Sequence, residues 1–492
     1  MDYYSLMGVS MDATEKEIRA AYFSAAQRYH PDKIPNEDTR ETFESIKKAY
    51  DTLIDPVLRK RYDDSLHQVP DNTLLTFDVS LSRDVILKTH EPQLLYAMLR
   101  IHALRLPERF NYRSSHVCLV VDRSTSMQGE RINALKFQIN DLLDMLKPID
   151  YLSVVSFSDR AEILVPPTLS KDRAIIQAKL AGLKTSGATE IYQGLEMGIR
   201  LLRGEDLADN RILILLTDGH TYGDEDSCLS IAKDAGADGI TIHTLGIGTD
   251  WNDHFLDRLA NLAGGTSSYV PNAQSLIPIL ESKFDTANKV IASSLRIDCL
   301  LGEEVECVSM FRVEPEIGEL TTNKTVPLGN LSFKHSTSIL FEFRIDPSPH
   351  PERNIRTLLH GEFNYLNIFK DNKIEAIPVS IRVPVKDKVQ QDKPPAFILQ
   401  AASRINLYRL QQKAREEVDQ GQFNEAARHL HQLATHLLAR GERDLARTVL
   451  REAQEIQETR HYSSSGEKNI KYGTRGLLLL PAPKGGTDDS LS

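Results

Sequence analysis

Between residues 115 and 285, short apolar runs alternate with helical stretches, and this alternation constrains the fold more than any other feature of the chain. HVCLVV (116–121), YLSVVSF (151–157), RILILLT (211–217) and ITIHTLGIG (240–248) are apolar and rich in β-branched residues. Strands covered on both faces have that composition, whereas half-exposed strands alternate polar and apolar positions. Helical patterns lie between and after these runs, near 129–147, 171–182, 190–203, 226–235 and 252–263. A βα alternation of this kind predicts a doubly wound α/β domain on a parallel sheet over 115–287.

The flanking segments have a different periodicity. TLLTFDVSLS (73–82) and LLYAMLRIHAL (94–104), within 69–114, look like strands. So do SLRIDCLL, VECVSMFRV, SILFEFRID and AIPVSIRVPV within 288–388, punctuated by Gly and Pro. An antiparallel β-sandwich is the expected arrangement. The earlier strands are expected to join it, which would make the α/β domain an insertion. Residues 395–462 are expected to form a C-terminal helical hairpin with breaks at Gly421 and Gly441, and 463–492 a largely disordered tail.

The first 68 residues are helical in pattern. Thr14 and Glu17 have capping-box spacing, and Ile18, Ala21, Tyr22, Ala25 and Tyr29 follow on one face. His30-Pro31-Asp32 ends that helix, because a proline disfavours helical geometry in the residue before it. A second helix carries Phe43, Ile46, Tyr50 and Leu53. With Leu6-Gly-Val9, Arg28 to Lys33, Asp55-Pro56 and Arg61-Tyr62-Asp63, this segment resembles the J domain of the DnaJ family along its whole length. The resemblance implies that His30, Pro31 and Asp32 signal to a DnaK-type chaperone. It also implies that Lys16, Arg19 and Arg28 form the basic face that docks on the chaperone, and that ATP hydrolysis there is stimulated. A bidentate arginine–carboxylate pair suits such a signal, being strong and oriented.

A second motif follows the strand HVCLVV. Asp122, Ser124 and Ser126 lie directly after it, Thr189 sits in a Ser-Gly-Ala-Thr loop before a helix, and Asp218 directly follows RILILLT. All belong to the carboxyl edge of the expected sheet, where open α/β sheets bind ligands. The pattern DxSxS…T…D resembles the von Willebrand factor A domain and its metal-ion-dependent adhesion site. Two carboxylates and three hydroxyls are hard oxygen donors and favour Mg2+, with Ca2+ or Mn2+ as alternatives. The resemblance implies a protein ligand that offers an acidic side chain to the metal.

Composition narrows the remaining classes. A net charge of -10 argues against nucleic acid as the main partner. No apolar run is long enough to span a bilayer, and the N-terminal sequence does not have the pattern of a secretory signal. The cysteines, Cys118, Cys228, Cys299 and Cys307, have no CxxC spacing, which fits a reducing cytoplasm. No GxSxG elbow or third glycine after Gly246-Ile-Gly248 is present, so no catalytic residue is assigned. The expectation is a cytoplasmic co-chaperone rather than an enzyme, targeted to a particular protein by its metal site. The alternative is a scaffold or assembly subunit acting with an AAA+ ATPase, with the metal site structural.

Overall fold

The computed structural model describes residues 3–7, 9, 13–29, 37–59, 74–104, 114–204, 207–219, 223–272, 275–287, 290–321, 324–333, 335–347, 354–370, 373–388, 393–463 and 465–476. The N-terminal unit is helical: α1 (Tyr3–Met7), α2 (Glu15–Tyr29) and α3 (Glu37–Leu53). The capping box forms. The Thr14 amide donates to the Glu17 carboxylate (2.7 Å), and the Glu17 amide donates to the Thr14 hydroxyl (3.4 Å). Tyr4, Ile18, Ile46, Ala49 and Leu53 close a small core, and Tyr22 stacks on Tyr50 at 4.2 Å.

Among the described residues a ten-stranded sandwich follows, split by the α/β domain. One sheet runs β1 (Leu75–Leu81), β3 (Gln93–Ala103), β14 (Thr337–Ile345), β11 (Val305–Glu314), β12 (Gly318–Leu320). The other runs β13 (Thr325–Ser332), β10 (Val290–Leu301), β15 (Ile355–Asn367), β16 (Lys373–Lys386), β2 (Ile86–Leu87). The pairing of β3 with β14, from Ile101 opposite Thr337 to Gln93 opposite Ile345, joins strands from either side of the α/β domain.

The inserted sheet has the order β6 (Ala161–Leu169), β5 (Tyr151–Phe157), β4 (Ser115–Asp122), β7 (Asn210–Thr217), β8 (Ile240–Ile247), β9 (Ser267–Val270). All neighbours are parallel except β5 and β6. β6 is not among the strands expected from the sequence, and it runs antiparallel because three residues join β5 to β6 and a parallel crossover needs a dozen or more. Helices cover both faces. Alternate residues of β4 divide between them: Val117, Leu119 and Val121 pack with α4 (Glu130–Met145), α5 (Arg173–Leu180) and α9 (Leu276–Ala287). Cys118 and Val120 pack with α6 (Ile191–Arg203), α7 (Glu225–Ala237) and α8 (Asp253–Leu262). Gly194 and Gly198 let α6 lie close to the sheet, since a Cβ at either would fall 2.7–2.9 Å from a Val120 methyl.

The C-terminal region is larger than the expected hairpin. Among the described residues it has four helices: α10 (Ala396–Asp419), α11 (Phe423–Ala439), α12 (Arg443–Thr459) and α13 (Gly466–Gly476). Gly421 and Gly441 end α10 and α11 with positive φ, as anticipated. The expectation of a disordered tail from 463 is corrected over 466–476, where charged and aromatic contacts hold α13 against the α/β domain. The tail beyond 476 lies outside the described residues.

Candidate functional site

Strand order places the candidate site. β4 is flanked by β5 on one side and β7 on the other, and the connections that follow β4 and β7 leave toward opposite faces. The carboxyl ends of β4 and β7 therefore border the crevice at the switch point of the sheet. Asp122 ends β4, and Asp218 immediately follows β7.

The five residues named from the sequence come together there. The Ser124 and Ser126 hydroxyls are 2.9 Å apart, and Ser126 donates to Asp218 Oδ1 at 2.7 Å. Asp122 is fully buried. Its Oδ1 accepts from the Ser124 amide (2.8 Å) and its Oδ2 from the Thr217 hydroxyl (2.7 Å). Thr189 is also buried, and its hydroxyl stands against the Asp218-Gly219 turn, 3.3 Å from where a Gly219 Cβ would be. Burial pushes the Asp122 carboxyl above its ordinary range; hydrogen bonds from Thr217 and Ser124 oppose the shift, and the neighbouring Asp218 charge adds to it.

Backbone contacts fix the loops to one another. The Arg123 amide donates to Phe157 O (2.8 Å), the Ser186 amide donates to Arg123 O (2.8 Å), and the Arg123 guanidinium reaches the Ser186 hydroxyl (2.7 Å). The donor set of two buried carboxylates and three hydroxyls suits a hard divalent cation. Because the set among the described residues holds two carboxylates, a bound cation would keep much of its charge for an outside oxygen ligand.

Three residues near the site carry no signal in the motif. Thr217 orients Asp122. Arg131, the second residue of α4, pairs with Asp218 Oδ2. Asp224, which the sequence leaves in an acidic loop, accepts from the Tyr192 amide at the start of α6 (2.9 Å). Glu225 beside it accepts from Asn252 (3.0 Å). His116 and His243 are partnered core residues, bonded to Ser153 (3.0 Å) and Thr266 (3.1 Å) respectively.

On the N-terminal helical unit, Lys16 and Arg19 are exposed on α2, with Arg19 paired to Glu15 one turn earlier. Arg28 belongs to α2 by its backbone. Its side chain, and His30, Pro31 and Asp32, lie outside the described residues.

Comparison with known proteins matches three regions. The DnaJ domain model covers residues 2–63 and the von Willebrand factor type A domain model covers 117–220. The chain is a fusion of a DnaJ domain to a von Willebrand factor type A domain. A third model, the Sll0103-like C-terminal alpha-helical domain, covers 396–480. An uncharacterised protein of Synechocystis is 30% identical over 241 residues, which is 47% of this chain and 57% of that protein. The chaperone protein DnaJ of Shouchella clausii is 44% identical over 69 residues, which is 14% of this chain and 18% of that protein. This chain thus spans little more than half of the first relative and under a fifth of the second. Among solved structures, the von Willebrand factor type A protein from Catenulispora acidiphila superposes with a TM-score of 0.67 at 14% identity, covering 84% of this chain and 99% of that one. The ArnB paralog VWA2 from Sulfolobus acidocaldarius gives 0.56 at 18% identity, covering 83% and 100%. At these identities the agreement is one of fold.

Proposed function

We propose that this J-domain–A-domain fusion is a targeting co-chaperone of the cytoplasm. Its J domain recruits a DnaK-type chaperone through Lys16, Arg19 and Arg28 and stimulates ATP hydrolysis through His30, Pro31 and Asp32. Its A domain would hold Mg2+ with Asp122, Ser124, Ser126, Thr189 and Asp218, and it grips one protein partner. A bound cation would supply an electrophilic centre for a carboxylate of that partner. The remaining work falls to the chain itself: Thr217 orients Asp122, and Arg123 ties the Asp122 loop to the loop that carries Thr189.

One observation carries this reading. Five oxygen-bearing side chains, separated by up to 96 positions in sequence (122 to 218), meet at the switch point of a parallel sheet in a protein that also carries a DnaJ domain. The test is capture from native cytoplasm with Mg2+ or with EDTA, using the wild type and Asp122→Ala, beside ATPase stimulation by the wild type and His30→Gln. The reading expects one protein held only by wild type with Mg2+, and stimulation abolished in His30→Gln. An identical catch in all arms, with folded variants, would reject targeting. Co-purification of an AAA+ ATPase in place of a DnaK-type chaperone would favour an assembly subunit.

A further inference from the structure

Arg131 occupies a position that local rules give to an acid. It is the second residue of α4, behind Gly129, whose φ of +86° turns the chain into the helix. Unsatisfied amides make that end of a helix positive, so a guanidinium there is opposed by the helix that carries it. What holds it is Asp218. One guanidinium nitrogen pairs with Asp218 Oδ2 and lies 3.4 Å from Ser126 O. Another lies against Gly248, 3.0 Å from where a Cβ would be, so the glycine leaves room for the group at the loop after β8.

The two partners differ in exposure. The Asp218 side chain is 0% exposed and that of Arg131 is 40% exposed. Asp218 is thus fixed, with Oδ1 engaged by Ser126 and Oδ2 by Arg131, whereas Arg131 has solvent beside it. A buried carboxylate next to a second one, Asp122, requires a nearby positive charge. In this arrangement Arg131 provides it from within the chain.

We propose that Arg131 is a tethered counter-ion of the metal site, competing with the divalent cation for Asp218 and setting how tightly the cation is held. The proposal rests on the metal reading of Asp122, Ser124, Ser126, Thr189 and Asp218. A cation taking Asp218 meets a positive charge a few ångströms away. The guanidinium must then give up Oδ2 and move toward the solvent side it already touches. The arginine lowers cation affinity while keeping the carboxylate pair tolerable without a cation. It therefore acts as a threshold on loading, and through loading on partner capture.

The test is Mn2+ binding followed by electron paramagnetic resonance, with Mg2+ binding by calorimetry, on the full chain. Variants are Arg131→Gln, Arg131→Lys and Asp218→Asn, each checked for fold by circular dichroism. Removing the charge should tighten Mn2+ binding roughly tenfold or more, as expected for loss of a like charge beside an ionic site. Arg131→Lys keeps the charge but not the planar fork and should fall between wild type and Arg131→Gln. The cation-induced rise in melting temperature should be largest for Arg131→Gln. Equal or weaker binding by a folded Arg131→Gln, with Asp218→Asn abolishing it, would overturn the counter-ion role and leave the metal reading standing. Absence of Mn2+ binding in wild type and Arg131→Gln alike would reject the metal reading and this proposal with it. If Arg131→Gln does not fold, Arg131→Lys decides: affinity no higher than wild type overturns the proposal.

Discussion

Thr217 donates its hydroxyl to Asp122 Oδ2 and accepts from the Gly219 amide at 3.2 Å, so one β-branched side chain sets both the carboxylate and the turn after β7. Thr217→Val keeps the shape and removes the donor. The Asp122 oxygen is then buried without its partner, which should cost about 1–3 kcal/mol by chemical denaturation. The same variant should weaken Mg2+ binding in calorimetry, because Asp122 loses its fixed orientation; unchanged affinity would show that Thr217 serves stability alone. At this scale the site was half legible. Asp122, Ser124, Ser126, Thr189 and Asp218 follow an ordered pattern beside recognisable strand ends. Thr217 reads as the last residue of an apolar strand, and Arg131 as one of many surface arginines.

Helix α13 is held by charge rather than by an apolar stripe. Lys471 pairs with Asp253 and with Asp257 (2.8 Å), and Arg475 grips Asp257 with two bonds of 2.9 and 2.7 Å. Arg415 of α10 adds two bonds to Asp253, of 2.7 and 3.1 Å. Lys468 donates to the carbonyls of Thr249 and Trp251 (2.9 Å for the second) and lies 4.5 Å from the centre of the Trp251 ring. Tyr472 and Tyr269 stand 5.8 and 6.3 Å from the same ring. This explains why sequence pattern missed the element. KNIKYGTR has no helical apolar periodicity, and its partners lie some two hundred positions earlier. By contrast, α2 and α4 to α8 carry apolar faces and were placed within a few residues. Lys471→Met leaves Asp253 and Asp257 short of a buried partner and should cost about 3–5 kcal/mol. Acid should open the same clasp. Burial alone would raise the Asp257 carboxyl, but Arg475 and Lys471 outweigh it and hold it at about 2. A depressed carboxylate contributes stability above its unfolded pKa of about 3.9, and that contribution fades as pH falls toward 2. Trp251 is the chain's one tryptophan, so its emission reports on the clasp directly. A red shift between pH 4 and 2, and a shifted spectrum at neutral pH for Lys471→Met, are expected. Emission that stays unmoved in both would separate Trp251 from the clasp.

The α/β domain rests on the sandwich by the end opposite its candidate site. The Asn330 amide reaches Asn210 at the start of β7 (2.7 Å), and the Gly264-Gly265 turn before β9 receives Arg312 of β11. Arg312 is almost fully buried and donates to the carbonyls of Gly264 (3.0 Å), Gly265 (2.6 Å), Leu328 (3.3 Å) and Glu316 (3.2 Å). Beside it, the Lys283–Glu316 pair and His243 line a cavity of about 50 Å³. The helical region completes the frame: α10 packs Ile398, Ala401, Ile405 and Tyr408 on Met98, Phe311 and Leu340 of the sandwich, while Arg415 and α13 hold the α/β domain. The edge that carries the candidate site is thereby presented on a domain braced from two sides. The early strands share the β pattern of the later sandwich, and that pattern suggests their pairing without proving it. The joint itself could not be read, since a lone arginine in VECVSMFRV carries no mark of carbonyls 16 to 48 positions away. Arg312→Met fills similar volume and orphans those carbonyls, which should cost about 3–5 kcal/mol. Because the loss falls on the joint and not within either core, calorimetry should show the α/β domain and sandwich melting in separate transitions where the wild type melts them together. A single transition, merely lowered in temperature, would mean that α10 and α13 bind the two domains into one cooperative unit without Arg312.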